Sequence, residues 1–152
     1  MAGIVAHVNS GEVALVANTA KTVLQIKAPT NQRVLIRSLR LFGKAAAGGT
    51  GVPVKVRATR SSTNFGTFTG ATPGKNDSSD SEALQATSGT NATVEPTSPT
   101  DTGLIWEVPD QSGVIEFLPP GMEIRVPGGT ALNIECTSTG TPTVAIQATY
   151  EE

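Results

Sequence analysis

"FLPPGMEIRVPGGTALNIECTS", residues 117–138, holds two turn signals and two alternating stretches, and no recognisable catalytic set. In "GMEIRV" (121–126) Met122, Ile124 and Val126 alternate with Glu123 and Arg125. In "TALNIECT" (130–137) Leu132, Ile134 and Cys136 alternate with Asn133, Glu135 and Thr137. Successive side chains of a strand point to opposite faces, so period-two alternation reads as a strand with one apolar and one wet face. Pro119-Pro120-Gly121 and Pro127-Gly128-Gly129 bracket the first strand. Proline fixes φ and glycine reaches positive φ, so the corners are stiff and set register with an antiparallel partner at 130–137.

The same pattern recurs outward. "PTVAIQATY" (142–150) puts Val144, Ile146, Ala148 and Tyr150 on one face; "VPVKVRATR" (52–60) does so with Val52, Val54, Val56 and Ala58. "GLIWEVP" (103–109) aligns Leu104, Trp106 and Val108. Less regular candidates are "EVALVA" (12–17), "KTVLQIKA" (21–28), "RVLIRSLRLF" (33–42) and "GVIEFL" (113–118). The run at 33–42 loses phase near Ser38, which predicts a bulge or a bend from one sheet to another. Turns fall at 28–32, 48–51 ("GGTG", a hairpin loop), 109–113, 118–121, 127–130 and 139–142. Helical signal is limited to one turn at "DSEALQA" (80–86), capped by Asp80 or Ser81. The expected fold is all-β: an antiparallel β-sandwich or jelly roll of about 8–9 strands with a long Thr/Ser/Gly-rich central loop.

Composition agrees. The 152 residues are 38% hydrophobic and only 16% charged, with 16 Gly and 10 Pro. This suits a single domain over 1–152 with one core and many turns. A net charge of -2 gives no electrostatic footprint for nucleic acid, and aromatics at 4% supply no stacking platform for it. Arg33, Arg37, Arg40, Lys55, Arg57 and Arg60 read instead as a solvated or partner-facing sheet surface. A lone cysteine cannot form an internal disulfide, and no apolar run approaches the ~18–20 residues that cross a bilayer. With no membrane segment or basic leader, the chain reads as made in a cytoplasm.

Two segments look like arms. Residues 1–11 are mildly apolar but broken by Asn9, Ser10 and Gly11, a candidate N-terminal arm. Residues 61–102 are poor in Val, Ile and Leu, and read as a long loop or as an arm that orders on a neighbouring subunit. Phe65 and Phe68 in the central segment, with Ile4 and Val5 in the N-terminal one, are the candidate partner-binding residues.

Residues suited to catalysis are sparse. His7 is the only histidine, and nothing beside it forms a nucleophile pair or a multi-histidine metal site. Cys136 is in phase with Ile134 and reads as packed. Glu107, Glu116, Glu123 and Glu135 fall out of phase with apolar neighbours, as solvated outer-face residues do, rather than as a glycosidase pair. Asp77, Asp80 and Glu82 lack the spacing of a calcium loop. The expectation is therefore no enzyme, no catalytic residue, no metal and no cofactor.

"VLQIKAPTNQRVLIRSLRL", "VPVKVRATR" and "WEVPDQSGVIEFLPPGMEIRVPGGTALNIECTS" together resemble small β-sandwich virion proteins of tailed bacteriophages, in particular head decoration (cement) proteins. The likeness covers residues 20–60 and 104–152. It implies a structural protein of the virion capsid surface, a homotrimer bound to the major capsid protein at capsomer junctions. A phage tail or baseplate module that binds carbohydrate is the alternative.

Overall fold

The computed structural model describes residues 3–46, 51–97 and 99–152. Among the described residues there are thirteen strands: β1 (Val5–Asn9), β2 (Val13–Ala14), β3 (Lys21–Lys27), β4 (Val34–Lys44), β5 (Pro53–Ser61), β6 (Thr67–Ala71), β7 (Gly74–Lys75), β8 (Thr87–Val94), β9 (Thr100–Pro109), β10 (Gly113–Phe117), β11 (Ile124–Val126), β12 (Ala131–Ser138) and β13 (Thr143–Glu151). They form two antiparallel sheets packed as a sandwich. One sheet runs β10-β4-β13-β1-β7, with β11 continuing the line of β10 along β4 and β2 continuing the line of β1 along β13. The other runs β6-β8-β3-β12-β5-β9.

The strands form where alternation is strongest. β13 reads half-buried and buried by turns over its whole length, with Val144, Ile146, Ala148 and Tyr150 directed inward. β12, β5 and β3 line the opposite layer, and Leu24, Ile26, Val54, Val56, Leu132, Ile134 and Cys136 meet that face in the core. Full burial of a Val, Leu or Ile side chain contributes about 1.5–3 kcal/mol relative to exposure, so these in-phase positions hold the layers together.

The break in phase near Ser38 is a bulge. Across β4 and β13 the register jumps from Ser38↔Thr149 to Ile36↔Tyr150, leaving Arg37 as the extra residue. On its other side β4 changes partner at the same place, from β10 at Ser38 to β11 at Ile36. A bulge bends a strand and re-aims one side chain. Here the Arg37 guanidinium reaches Glu151 on β13 and Glu123 in the loop between β10 and β11.

The opening stretch folds differently from the hairpin expected of it. β11 has three residues and pairs with β4, whereas β12 belongs to the other sheet, between β3 and β5. Pro127-Gly128-Gly129 therefore carries the chain from one layer to the other. Gly129 has φ of 75°, and a Cβ at Gly128 would lie 2.8 Å from the Thr30 carbonyl oxygen, so both positions need glycine. Met122, expected inward, is 71% exposed because a turn closed by Met122 N–H to Pro119 O precedes β11.

Three further expectations are corrected. Of the segment 1–11, expected as an arm, the described residues 3–11 are not a free arm: β1 lies between β13 and β7, with Ala6 and Val8 in the core, and Ile4 exchanges backbone hydrogen bonds with Glu152. Two buried alternate positions sufficed for a strand that the polar break at 9–11 had obscured. Residues 61–102 are not one loop, since they supply β6, β7, β8 and the start of β9. Thr and Gly form these strands, of which β6 and β7 are sheet edges and β8 lies between β6 and β3, with little apolar burial, because the pairing itself satisfies the backbone. Residues 80–86 form no helix; Asp80 accepts from the Glu82 N–H in a local turn. Of the "GGTG" turn, residues 48–50 lie outside the described residues.

Candidate interaction surface

β9 and β10 are the terminal strands of the two sheets and lie on the same side of the sandwich, joined by the turn between Pro109 and Gly113. Asp110 in that turn is buried and accepts from the Val52 N–H at 3.1 Å, which fixes the turn against the start of β5. Between the two strands an apolar crevice reaches Leu39, Leu41, Val56, Ile134 and Ile146, with Trp106 and Val114 half-buried among its walls.

Exposed apolar side chains occur along this side, with Phe42, Ile115 and Phe117 on the outer face of the β4/β10 sheet and Ile105 on the opposite outer face, that of β9. Phe42 (50%), Ile105 (49%), Ile115 (49%), Phe117 (66%) and Met122 belong to β9, β10, the loop after β10 and the segment of β4 paired with β10. Among the described residues only Val16 and Val94 are comparable elsewhere. Singly exposed apolar residues are ordinary on any surface, but a cluster along an open sheet edge marks an interaction site or an aggregation hazard.

Among the described residues no strand pairs with the far side of β10. Gly43 N–H donates to Ser112 O, and Leu118 N–H donates to Arg37 O, each at 2.9 Å. Strand alternation then directs the polar groups of Val114 and Glu116 at β4, and those of Gly113, Ile115 and Phe117 away from it. Neither a lysine nor a proline interrupts Gly113–Phe117, although natural edge strands commonly carry one as protection.

The partner-binding candidates named from sequence do not form this surface. Ile4 is buried at 8% exposure, so the expectation of a partner anchor there is corrected: it exchanges backbone hydrogen bonds with Glu152 and lines a surface pocket with Glu152 and residues of the 82–85 segment. Val5 is half-buried on β1, paired with Glu151. Phe65 is half-buried and held by its own chain. Its carbonyl accepts from Gln25 Nε2 at 2.8 Å, and Lys27 Nζ sits 4.0 Å from the ring centroid. Phe68 is half-buried on β6 over Gly89, where an added Cβ would approach Phe68 Cβ to 2.5 Å. The exposed set on β10 was legible only as a strand, because the alternation that identified it does not say which face lacks a neighbouring layer.

The remaining candidates have structural settings. His7 is exposed on β1 beside Gly74. Cys136 is fully buried and its thiol is pushed up to about 12 by that burial, with Glu135 adding to the effect. Glu123 and Glu135, expected as solvated, are mostly covered and ion-paired, Glu123 with Arg37 and Glu135 with Arg57 at 2.7 Å. Glu107 is exposed, and Glu116 is half-buried at the mouth of the crevice. Asp77 is held below its ordinary range by hydrogen bonds from the Ser79 hydroxyl and N–H, a local turn rather than a cation loop. Among the described residues no three His, Cys, Asp or Glu side chains converge as a metal site would require.

Comparison with protein-family models, with curated proteins and with solved structures returns no match for this chain.

Proposed function

We propose that this chain is a structural protein of a bacteriophage head, which decorates the assembled capsid at capsomer junctions and works by contact alone. The observation that carries the reading is the open β9/β10 side, along which Phe42, Ile105, Ile115, Phe117 and Met122 are exposed. The sequence resemblance adds the setting, a homotrimer on the major capsid protein at the virion surface.

The mechanism is linkage. A protein that binds the assembled, expanded shell and not its dissociated subunits lowers the free energy of the shell, by an amount that grows with protein concentration over Kd. The exposed apolar side chains supply the area removed from water on docking, about 25 cal/mol per Å².

Purified protein added to expanded empty heads should bind in a fixed ratio to capsomers and raise the temperature at which the shell falls apart. Failure to co-sediment with such heads, at any salt concentration, removes the proposal. Phe42 and Phe117, exposed in neighbouring strands, also suit stacking on a sugar ring and support a tail or baseplate carbohydrate module as second reading. Saturable binding on a glycan array, lost in Phe117→Ala, would favour that reading.

A further inference from the structure

We infer that β10 is a self-pairing strand: two copies of the chain join by antiparallel pairing of Gly113–Phe117 across a two-fold axis at Ile115. This deepens the reading of the open side as a contact surface by naming its occupant, a second copy. The free N–H and C=O groups of Gly113, Ile115 and Phe117 point away from β4, as required of hydrogen-bonded pairs in a new ladder. In that register Ile115 meets Ile115, and Gly113 meets Phe117 at both ends. Each of the three residues gives and takes one backbone hydrogen bond.

The side chains fit this pairing. On the exposed face, Phe42 lies beside Gly113, where an added Cβ would be 3.2 Å from Phe42 Cδ1. The partner's Phe117 would arrive on the other side of that glycine, so two aromatic rings flank a residue with no side chain. An aromatic opposite a glycine in this way restores the packing that the glycine forfeits. Ile115 against Ile115 covers two half-exposed aliphatic chains. Charge also agrees: Glu116, the one ionisable residue of the strand, faces Val114 and never its own copy. Cross-strand like charges, which destabilise an edge, are avoided. A neighbour with an unrelated edge would satisfy the backbone equally but has no reason to place an aromatic at the glycine. In a shell carrying trimers, a two-fold contact of this kind would link one trimer to the next.

The test is self-association of the full chain, followed by analytical ultracentrifugation over a range of concentrations. The wild type should reach twice the mass of its unit, with the amides of Gly113, Ile115 and Phe117 gaining hydrogen-exchange protection as concentration rises. Ile115→Pro removes an N–H that faces away from β4, a position where an edge strand tolerates proline. It should keep the folded circular dichroism spectrum and weaken association about tenfold or more. Should that variant fail to fold, Ile115→Lys keeps the backbone and sets two like charges face to face, with the same expected loss. A wild type that never associates, or one whose association survives both substitutions, overturns the inference. Head binding is scored separately: a monomer that still binds heads refutes pairing alone, and a paired dimer that ignores heads refutes decoration alone.

Discussion

Arg37 donates from Nε to Glu151 Oε2 at 3.0 Å, and the same guanidinium reaches Glu123 through Nη1. Because Arg37 is the extra residue of the β4 bulge, this clasp ties the last strand to the loop between β10 and β11 at the point where β4 changes partners. Bonds to Glu151 raise the guanidinium pKa further, so it stays charged throughout. The Glu123 carboxyl is held below its ordinary range, first by its own backbone N–H, then by the Gly121 N–H and by Arg37. A depressed carboxyl stabilises the fold above its unfolded pKa, and that stabilisation is lost as pH falls through the lower folded value. Glu123→Gln should therefore lower the melting temperature at pH 7 and flatten its decline below about pH 4.5. An acid limb identical to wild type would show that the clasp contributes nothing.

Tyr150 is fully buried on β13, and its hydroxyl has no hydrogen-bond partner among the described residues. Burying an unsatisfied hydroxyl costs free energy, and its removal leaves the ring packing intact. Tyr150→Phe is expected to be neutral or stabilising by up to about 2 kcal/mol in urea denaturation. A loss above about 1 kcal/mol would mean that the hydroxyl is satisfied in solution.

Cys136 sets an alkaline limit. Its thiol rises from an ordinary 9.0 to about 12, because the buried site disfavours the thiolate. The folded chain holds the proton longer than the unfolded one, so the contribution is complete below about pH 9 and declines as pH rises toward about 12. At full expression the effect is on the order of 4 kcal/mol. Cys136→Ala should soften the fall in stability over that window, with Tyr150, raised by burial in the same sense, accounting for part of the remainder. The native thiol should also resist a thiol-specific reagent until urea unfolds the chain.

Truncation of residues 1–9 distinguishes a strand from an arm. β1 contributes Ala6 and Val8 to the core and pairs residue by residue with β13. Its removal costs at least about 3 kcal/mol in apolar burial. The truncated chain should lose cooperative thermal unfolding, or melt far below the full chain. An unchanged melting curve would show that β1 is dispensable.

Gln25 and Asn133 form a buried amide pair at 2.7 Å; Asn133 also donates to the Ser61 hydroxyl, and Gln25 to the Phe65 carbonyl. Asn133→Ala would leave Gln25 and Ser61 short of partners, at an expected cost of about 1–3 kcal/mol. Hydrogen exchange in the 61–66 segment should rise with it. Loss of stability without a change in that segment would confine the pair's role to the sheet.

The sandwich was legible because its core strands follow the simplest rule available. β13 alternates throughout, β5 does so as far as Ala58 and β12 over its second half, with Asn133 buried where a wet face was expected, and the break at Ser38 correctly announced a bulge. Which strands pair was not legible. The stiff corner at 127–129 looked like the end of a hairpin, but proline and glycine specify the sharpness of a turn and not the layer it enters. β6 to β8 escaped notice because short or Thr- and Gly-rich strands bury few apolar side chains, whether at an edge like β6 and β7 or inside a sheet like β8. Phe65 and Phe68 drew attention as aromatics in a polar stretch, yet Gln25 and Lys27, distant in sequence, hold Phe65 in place. The exposed edge of β10 lay in plain alternation, and only the finished topology left it without a neighbour.

The pairing of β1 with β13 brings the first and last strands of the chain side by side, with Ile4 and Glu152 joined through their backbones. During synthesis the centre of this sheet cannot close until β13 has left the ribosome. The same adjacency means that a short linker could join β13 directly to β1, with a new break opened in a surface turn.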